Sequence, residues 1–267
     1  LATSSAASDV YKRQLLCFSN LGKVYWLKVY EIPQASRIAK GRPLVNLIEL
    51  DEQERVTSLL DVQSFEDEAF VFMATQNGII KKTPLSEFKR PRKNGKRAIK
   101  LDENDELVGT LLTNGSADLM VVSNAGKAVF FNETDARSMG RDTRGVKGIT
   151  LDRNQQVISL LKPSTESEIL TVSENGYGKR SKVSDFRKTK RGAKGVIAMQ
   201  TTQRNGDLIS AKEVSDTDEV ILITNKGMLV RTKVSEISLI GRNTQGVKVI
   251  TLKEDEALNG LALAIDS

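Results

Sequence analysis

Lysine and arginine side chains are concentrated in two segments of this chain of 267 residues. Residues 89–97 read KRPRKNGKR, which is six cations without an acid, and residues 176–195 carry eight cations against Asp185 alone. Such side chains neutralise phosphates and release counterions, which gives nucleic-acid affinity that does not depend on base sequence. The two segments therefore predict binding to a long polyanion, and the net charge of +6 agrees with this.

Smaller basic groups occupy matching places in residues 127–144 and 231–242. One alternative is that each cluster is only a solvated loop, but recurrence in register favours a basic track. The predicted contacts with DNA are Lys81, Lys82, Lys89, Arg90, Arg92, Lys93, Lys96, Arg97, Arg141, Arg144, Lys179, Arg180, Lys182, Arg187, Lys188, Lys190, Arg191, Lys194, Arg231 and Arg242.

The residue types that are missing exclude several kinds of site. Histidine is absent and Cys17 is the only cysteine, which excludes a Ser-His-Asp triad, a Cys-His dyad and a structural zinc site. We expect no catalytic residue, metal or cofactor in this chain, and a single cysteine fits a reducing cytoplasm. No apolar run reaches the roughly 18–20 residues that cross a bilayer, so no membrane partner is expected. Residues 1–14 lack the apolar core of a signal peptide and are predicted to be a disordered or non-native leader.

Repeated pairs of glycines set the positions of the basic segments. Copies of one pattern follow each other at intervals of about 50 residues, a period typical of propeller-like arrays. The first glycines of the pairs are Gly22, Gly78, Gly126, Gly176 and Gly227, and the second are Gly41, Gly95, Gly145, Gly195 and Gly246.

The second copy shows which elements each repeat contains. Residues 69–75 predict a strand buried on both faces, Asn77-Gly78 predicts a hairpin turn, and residues 79–83 predict the return strand. After the basic loop, residues 98–101 and 107–112 are predicted as the third and fourth strands. Four strands per copy indicate an all-β, propeller-like domain over residues 15–265. About five blades of four strands each are predicted. They span about 15–62, 69–114, 118–163, 168–214 and 219–265.

Charge is sorted by position within each repeat. The stretch between the two glycines is basic, whereas acids gather in other turns, such as residues 102–106 and 216–219. The sequence therefore predicts a basic track and a separate acidic surface. Aromatic residues are few in the basic loops, which favours contacts with the backbone of duplex DNA over stacking on single-stranded bases.

Several phrases resemble the C-terminal domain of the DNA gyrase A protein. They are GKVYWLKVYEIP (22–33), GRPLVNLIEL (41–50), FMATQNGIIKKTPLSEF (72–88), NGYGKRSKVSDF (175–186) and VRTKVSEISLIGRNTQGV (230–247). The resemblance implies a β-pinwheel, in which neighbouring blades exchange strands, and a basic rim that wraps duplex DNA. It also implies a cytoplasmic enzyme of two A and two B subunits, a type IIA topoisomerase that uses ATP and Mg²⁺ outside this chain. No catalytic role is assigned to the tyrosines of this chain.

The chain departs from this family in the number of its repeats. The family has six blades and this chain has five, so the blade that carries the Gln-Arg-Arg-Gly-Gly-X-Gly box is expected before residue 15. Residues 190–195, KRGAKG, are a degenerate relative of that box. Without the box, the chain is expected to bind DNA and wrap it poorly. Whether the blades close flat or rise as a spiral stays open.

Two other families of function remain as alternatives. The first is the matching domain of the topoisomerase IV A protein, and the second is a protein-interaction propeller that binds an acidic partner. A propeller hydrolase fits least, because histidine is absent and the carboxylates fall in turns.

Overall fold

The computed structural model describes residues 13–34, 41, 43–65 and 68–264. Most of the predicted leader, residues 1–12, lies outside the described residues. The last two residues of the predicted leader are described. Gln14 begins the first strand, and Arg13 forms an ion pair with Asp61 at 3.1 Å.

Strands and short 3-10 helices make up the regular structure of the described residues. The strands are β1 (Gln14–Ser19), β2 (Lys23–Lys28), β3 (Val56–Val62), β4 (Phe70–Thr75), β5 (Ile79–Pro84), β6 (Lys96–Arg97), β7 (Leu107–Thr113), β8 (Asp118–Ser123), β9 (Lys127–Asn132), β10 (Val146–Lys147), β11 (Val157–Leu161), β12 (Glu168–Ser173), β13 (Tyr177–Lys182), β14 (Val196–Ile197), β15 (Leu208–Val214), β16 (Glu219–Thr224), β17 (Leu229–Lys233), β18 (Val247–Lys248) and β19 (Leu258–Leu263). The 3-10 helices are η1 (Val29–Glu31), η2 (Leu44–Asn46), η3 (Leu85–Phe88), η4 (Glu133–Asp135), η5 (Val183–Asp185) and η6 (Val234–Glu236).

The described strands form five sheets, which confirms the predicted all-β fold. Four sheets have four strands each, in the orders β3-β1-β2-β6, β10-β5-β4-β7, β11-β8-β9-β14 and β15-β12-β13-β18. The fifth sheet, β17-β16-β19, has three strands within the described part of the chain instead of the predicted four.

The fourth strand of each complete sheet comes from the next repeat along the chain. In the first sheet β2 pairs with β6, where Lys23 faces Arg97 and Val24 faces Lys96. The prediction of a third strand at residues 98–101 is therefore wrong in position and in partner. The backbone N–H groups of Ala98 and Ile99 leave the strand ladder and donate to the carbonyl oxygen of Gly22, at 2.8 and 3.2 Å.

The hairpin turn of each repeat uses the glycine that the sequence singled out. Gly176, between β12 and β13, has a φ of +79°, and a methyl group added there would lie 2.7 Å from the carbonyl oxygen of Ile250. A side chain at this position would meet both a strained backbone and an atom that cannot move aside. The glycine thus allows the exchanged segment to pack directly on the turn.

Contacts between Cα atoms divide the chain into two compact units. The first comprises Leu1–Thr75, Ile79–Gly115 and Ala136–Val146, and the second comprises Gln76–Gly78, Ser116–Asp135 and Lys147–Ser267. Each unit has its own apolar core, built for example around Phe18 and Met73 in the first and around Met199 and Val220 in the second. Among the residues that the structure describes, no helix is long and apolar enough to span a bilayer.

Candidate nucleic-acid interface

Four basic loops lead from a 3-10 helix to the strand that joins the preceding sheet. We call them crossing loops, and they comprise residues 89–95, 136–145, 186–195 and 237–246. The strand that follows is anchored in a sheet, so both ends of each loop are held. Both basic segments that the sequence singled out include a crossing loop.

Most of the predicted DNA contacts project into solvent from these loops or beside them. The exposed members are Lys89, Arg90, Arg92, Lys93, Arg97, Arg144, Lys182, Arg187, Lys188, Lys190, Lys194 and Arg231. Half-buried members are Lys96, Arg141, Arg191 and Arg242. The charge is uneven, because loop 186–195 carries five cations and loop 237–246 carries Arg242 alone.

Four predicted contacts are buried, which corrects the sequence prediction. Lys81 and Lys179 are 0% exposed, and Lys82 and Arg180 are 6% exposed. They lie on the return strands β5 and β13, which are covered on both faces, so their side chains do not reach a ligand outside.

The buried ammonium of Lys81 holds a crossing loop of its own unit. Its Nζ donates to the carbonyl oxygens of Ala98 at 2.8 Å and Thr143 at 3.1 Å, and also to that of Arg141. Burial lowers the pKa of Lys81 to about 7, because the charged form loses its hydration. Lys81 therefore fixes the loop 136–145 from inside.

Lys179 has the same place in its repeat and a similar role in the second unit. Its Nζ donates to Ser181 Oγ at 2.7 Å and to the carbonyl oxygen of Gly241 at 3.2 Å. Burial lowers the pKa of Lys179 to about 8. The side chain thus reaches the crossing loop 237–246.

Arg180 and Lys82 also have partners inside the protein. Arg180 Nη1 lies 2.7 Å from Glu168 and 2.8 Å from Asp216, and its Nε donates to the carbonyl oxygen of Ile237 at 2.7 Å. Lys82 Nζ lies 5.2 Å from the ring centroid of Phe70. These cations stabilise the sheets and add little to an outer basic surface.

Three half-buried arginines form a repeated contact between a crossing loop and the exchanged strand of the preceding repeat. Nη1 of Arg141, Arg191 and Arg242 donates to the carbonyl oxygens of Arg97, Lys147 and Ile197 at 3.1, 3.0 and 2.9 Å. Nε of Arg191 and of Arg242 donates to the last residue of the preceding 3-10 helix, at 2.9 and 3.0 Å. Sequence reasoning missed this role, although each arginine stands four residues before the second glycine of its repeat.

In the first unit, a groove of about 560 Å³ gathers positive charge. Lys23, Arg92, Lys96, Arg97 and Arg141 line it, together with the acid Asp142. Desolvation, and then the charges of three nearby arginines, lower the pKa of Lys96, although Glu87 opposes this. Lys96 Nζ also lies 5.5 Å from the ring centroid of Trp26, the single tryptophan of the chain. The crowding of like charges makes this groove suited to an anion.

Acids from nearby turns approach some of the loop cations. Arg144 pairs with Asp102, Lys188 with Asp118, and Lys194 with Asp152 at 3.9 Å. The sequence predicts an acidic surface that is separate from the basic loops. These ion pairs show that the acidic turns are not wholly separate from those loops. Exposed ion pairs of this kind are worth little, so a phosphate can compete for these cations.

Comparison with known proteins gives one consistent result. The family model described as "DNA gyrase C-terminal domain, beta-propeller" matches residues 13–63, 69–114, 117–164, 167–215 and 218–264. The chain is 50% identical over 247 residues to the DNA gyrase A protein of Salmonella typhimurium. The aligned region covers 92% of this chain and 28% of that protein. It is 46% identical over 290 residues to the DNA gyrase A protein of Pseudomonas aeruginosa, which covers 92% of this chain and 31% of that protein. The chain thus spans less than a third of the length of these curated relatives.

Solved structures give the same fold. A structure of the DNA gyrase A C-terminal domain superimposes with a TM-score of 0.81 at 28% identity, and covers 96% of this chain and 83% of its own. The C-terminal domain of DNA topoisomerase IV superimposes with a TM-score of 0.88 at 27% identity, and covers 95% of this chain and 79% of its own.

Proposed function

Because this chain belongs to the DNA gyrase C-terminal domain family, we propose that it binds and bends duplex DNA as a non-catalytic domain of a gyrase A protein. The observation that carries the proposal is the set of exposed lysines and arginines on the crossing loops. Its partners are then double-stranded DNA, the gyrase B protein and a second gyrase A protein. ATP hydrolysis and the Mg²⁺-dependent cleavage of DNA belong to other parts of that enzyme.

The crossing loops suit the phosphate backbone better than the bases. Their cations are long, exposed and spaced along short anchored loops, and no α-helix of the described residues is available to enter a major groove. Each phosphate that is neutralised contributes a slope of roughly −0.9 to log K against log [salt]. Contacts from several loops therefore predict a steep salt dependence and weak base preference.

The first prediction concerns the loop 89–95, whose four cations lie outside the sheets. Replacing Lys89, Arg90, Arg92 and Lys93 by alanine removes four charges without touching the core. We expect the affinity for any duplex to fall by about the same factor, and the salt slope to become shallower by up to roughly 3.6 units, about 0.9 for each cation that contacts a phosphate. Fluorescence anisotropy with duplexes of different sequence, each titrated at several salt concentrations, measures both quantities.

A matched control removes the same charge elsewhere. Arg153, Lys162, Lys226 and Lys253 are exposed and lie outside the crossing loops, so their fourfold alanine variant is expected to keep the wild-type slope. Equal losses in the two variants, or a wild-type affinity that does not respond to salt, would contradict the proposal. Capture of an acidic protein that survives nuclease treatment would support a protein-interaction domain instead.

A further inference from the structure

Two neighbouring hollows of the first unit share the crossing loop 89–95 as part of their lining. One is the basic groove of about 560 Å³, and the other is a slot of about 410 Å³. Arg92 lines both hollows, so a ligand in the slot lies next to the cations of the groove. The slot is lined by apolar and acidic residues as well as cations, among them Trp26, Leu47, Pro91, Glu31 and Glu49.

The slot exists because the crossing loop 89–95 is short. Gly95 lies 17 residues after Gly78, whereas the corresponding glycines of the next three repeats are 19 residues apart. In those repeats the crossing loop runs beside the preceding return strand, and its N–H groups donate to carbonyl oxygens of that strand at 2.7–3.0 Å. The donors are Met139, Thr189 and Ile240, and the acceptors are Lys82, Phe130 and Arg180.

Trp26 has the place of these acceptors in the first repeat, four residues after the turn glycine. The three acceptors are 6% exposed, whereas Trp26 is half-buried. No N–H group of the loop 89–95, all of which is described, donates to the carbonyl oxygen of Trp26. The short loop therefore leaves an indole ring and a backbone acceptor accessible at the wall of the slot.

The slot offers the contacts that a nucleobase needs. Nε1 of Trp26 donates to the carbonyl oxygen of Phe88 at 2.8 Å, so the orientation of the ring is fixed before a ligand binds. An aromatic ring held in this way can stack on any base. Glu31 and Glu49 are exposed, and their carboxylates can accept hydrogen bonds from the ring N–H and amino groups of a base. Apolar surface with a few polar groups is typical of a small-molecule site.

The groove beside the slot concentrates more positive charge than its counterparts. Four places define it: the residue after the turn glycine, the third residue before the second glycine, and the two residues after that glycine. In the first sheet these places hold Lys23, Arg92, Lys96 and Arg97. The other complete sheets carry one cation each at the same places, which are Lys147, Lys127 and Lys248. A duplex spreads its charges along its axis, so this local excess fits a compact polyphosphate better.

Lys96 shows that the slot and the groove are close enough for one ligand. It lines the groove, and its Nζ lies 5.5 Å from the ring centroid of Trp26. We propose that the two hollows form a site for a nucleoside polyphosphate, with the base against Trp26 and the phosphates among Arg92, Lys96 and Arg97. Only the competition of this ligand with duplex DNA for those cations rests on the proposed function.

The fluorescence of Trp26, the single tryptophan of the chain, reports a base in the slot. The intact chain is titrated with GTP, because guanine offers both a ring N–H and an amino group, and free tryptophan corrects for light that the nucleotide absorbs. We expect saturable quenching. Calorimetry compares GTP with tripolyphosphate, which lacks the base, and with guanosine, which lacks the phosphates. Both are expected to bind about tenfold more weakly than GTP, or less well still.

Two variants that remove the same charge locate the phosphates. Arg92→Gln with Arg97→Gln changes two exposed cations of the groove, and it is expected to weaken GTP binding about tenfold. Lys190→Gln with Lys194→Gln changes two exposed cations of the crossing loop 186–195. This control is expected to bind GTP like the wild type.

Three results would overturn the proposal: no saturable quenching, equal affinities for GTP and tripolyphosphate, or equal losses of GTP affinity in the two variants. A short single-stranded oligonucleotide that quenches Trp26 at lower concentration than GTP would also overturn it, in favour of a single-strand site. Because these titrations contain no duplex DNA, a failure of the nucleotide site and a failure of duplex binding are observed separately.

Discussion

Lys81 shows how one residue can look like a ligand contact and act inside the protein. Its charge and its place in a basic stretch predicted a contact with DNA, yet its ammonium is held by backbone carbonyls of Ala98, Arg141 and Thr143. The other repeats already contained the signal, because the equivalent residues Tyr25 and Val129 are aromatic and apolar. Alignment of the copies would have predicted a buried position, whereas charge alone could not.

The pH dependence of stability tests this role of Lys81. Burial lowers its pKa in the folded chain from 10.5 to about 7, with Asp142, Glu87 and Arg141 as the charged groups that face it. Between pH 7 and 10 the unfolded chain then binds more protons, so the free energy of unfolding should rise with pH. We expect Lys81→Met to flatten this rise by an amount of the order of a few kcal/mol, measured by urea unfolding from pH 7 to 10.

The matched control for Lys81→Met is Lys182→Met, which removes an exposed lysine from β13. It should keep the wild-type slope. If Lys81→Met kept that slope as well, the ammonium of Lys81 would not be the desolvated group that the geometry indicates. Faster amide exchange in the loop 136–145 of Lys81→Met alone would further support its hold on that loop.

At the level of elements, the strands were predictable and their partners were not. Apolar runs and Asn-Gly turns correctly located the hairpins, such as β4 and β5. Periodicity carries no information on whether a short strand joins its own sheet or the preceding one, so β6 was misplaced within its repeat. The resemblance to a known family, and not the pattern of residues, implied the exchange of strands.

The arginine contacts between successive elements can be tested with charge held constant. Arg191→Lys keeps the positive charge but loses the paired donors to the carbonyl oxygens of Asp135 and Lys147. Two hydrogen bonds are worth about 1–2 kcal/mol, so we expect about tenfold faster amide exchange at Thr150, whose N–H donates to Ala193 in the same loop. DNA affinity should fall severalfold, because the loop is less ordered before it binds.

Lys190→Arg is the control for this variant, since it changes an exposed neighbour and also keeps the charge. It should leave amide exchange and affinity unchanged. An Arg191→Lys variant that binds DNA like the wild type, with the same exchange at Thr150, would show that the contact does not position the loop.

On the scale of the whole molecule, the sequence predicts a single propeller-like array over residues 15–265. The boundaries of that array and of its blades stay predictions. The period of about 50 residues correctly gave the number of sheets, because each repeat supplies one hairpin. Two features are visible only in the three-dimensional structure. These are the division into two compact units and the burial of Lys81, Lys82, Lys179 and Arg180 within the predicted basic track.

The distribution of charge predicts how far this chain can bend DNA. Bending a site of 20–30 base pairs by 40–90° costs on the order of 1–6 kcal/mol, which extra phosphate contacts must offset. In the second unit, loop 186–195 offers five cations but loop 237–246 offers only Arg242, which is half-buried and engaged with Ile197 and Asp185. We therefore expect tight binding to linear duplex but only a small linking-number change when plasmid DNA is relaxed by a topoisomerase in its presence.

Positive charge added to loop 237–246 should allow the chain to bend DNA further. Ser238→Arg with Gln245→Lys gives loop 237–246 the cations that Arg187 and Lys194 provide at the same places one repeat earlier. This double variant is expected to increase the linking-number change several-fold, because a bend gains two phosphate contacts where it had none. Arg153→Lys with Lys226→Arg is a control that alters exposed cations elsewhere and should change nothing. A large linking-number change with the unaltered chain would mean that its present cations already offset the cost of bending.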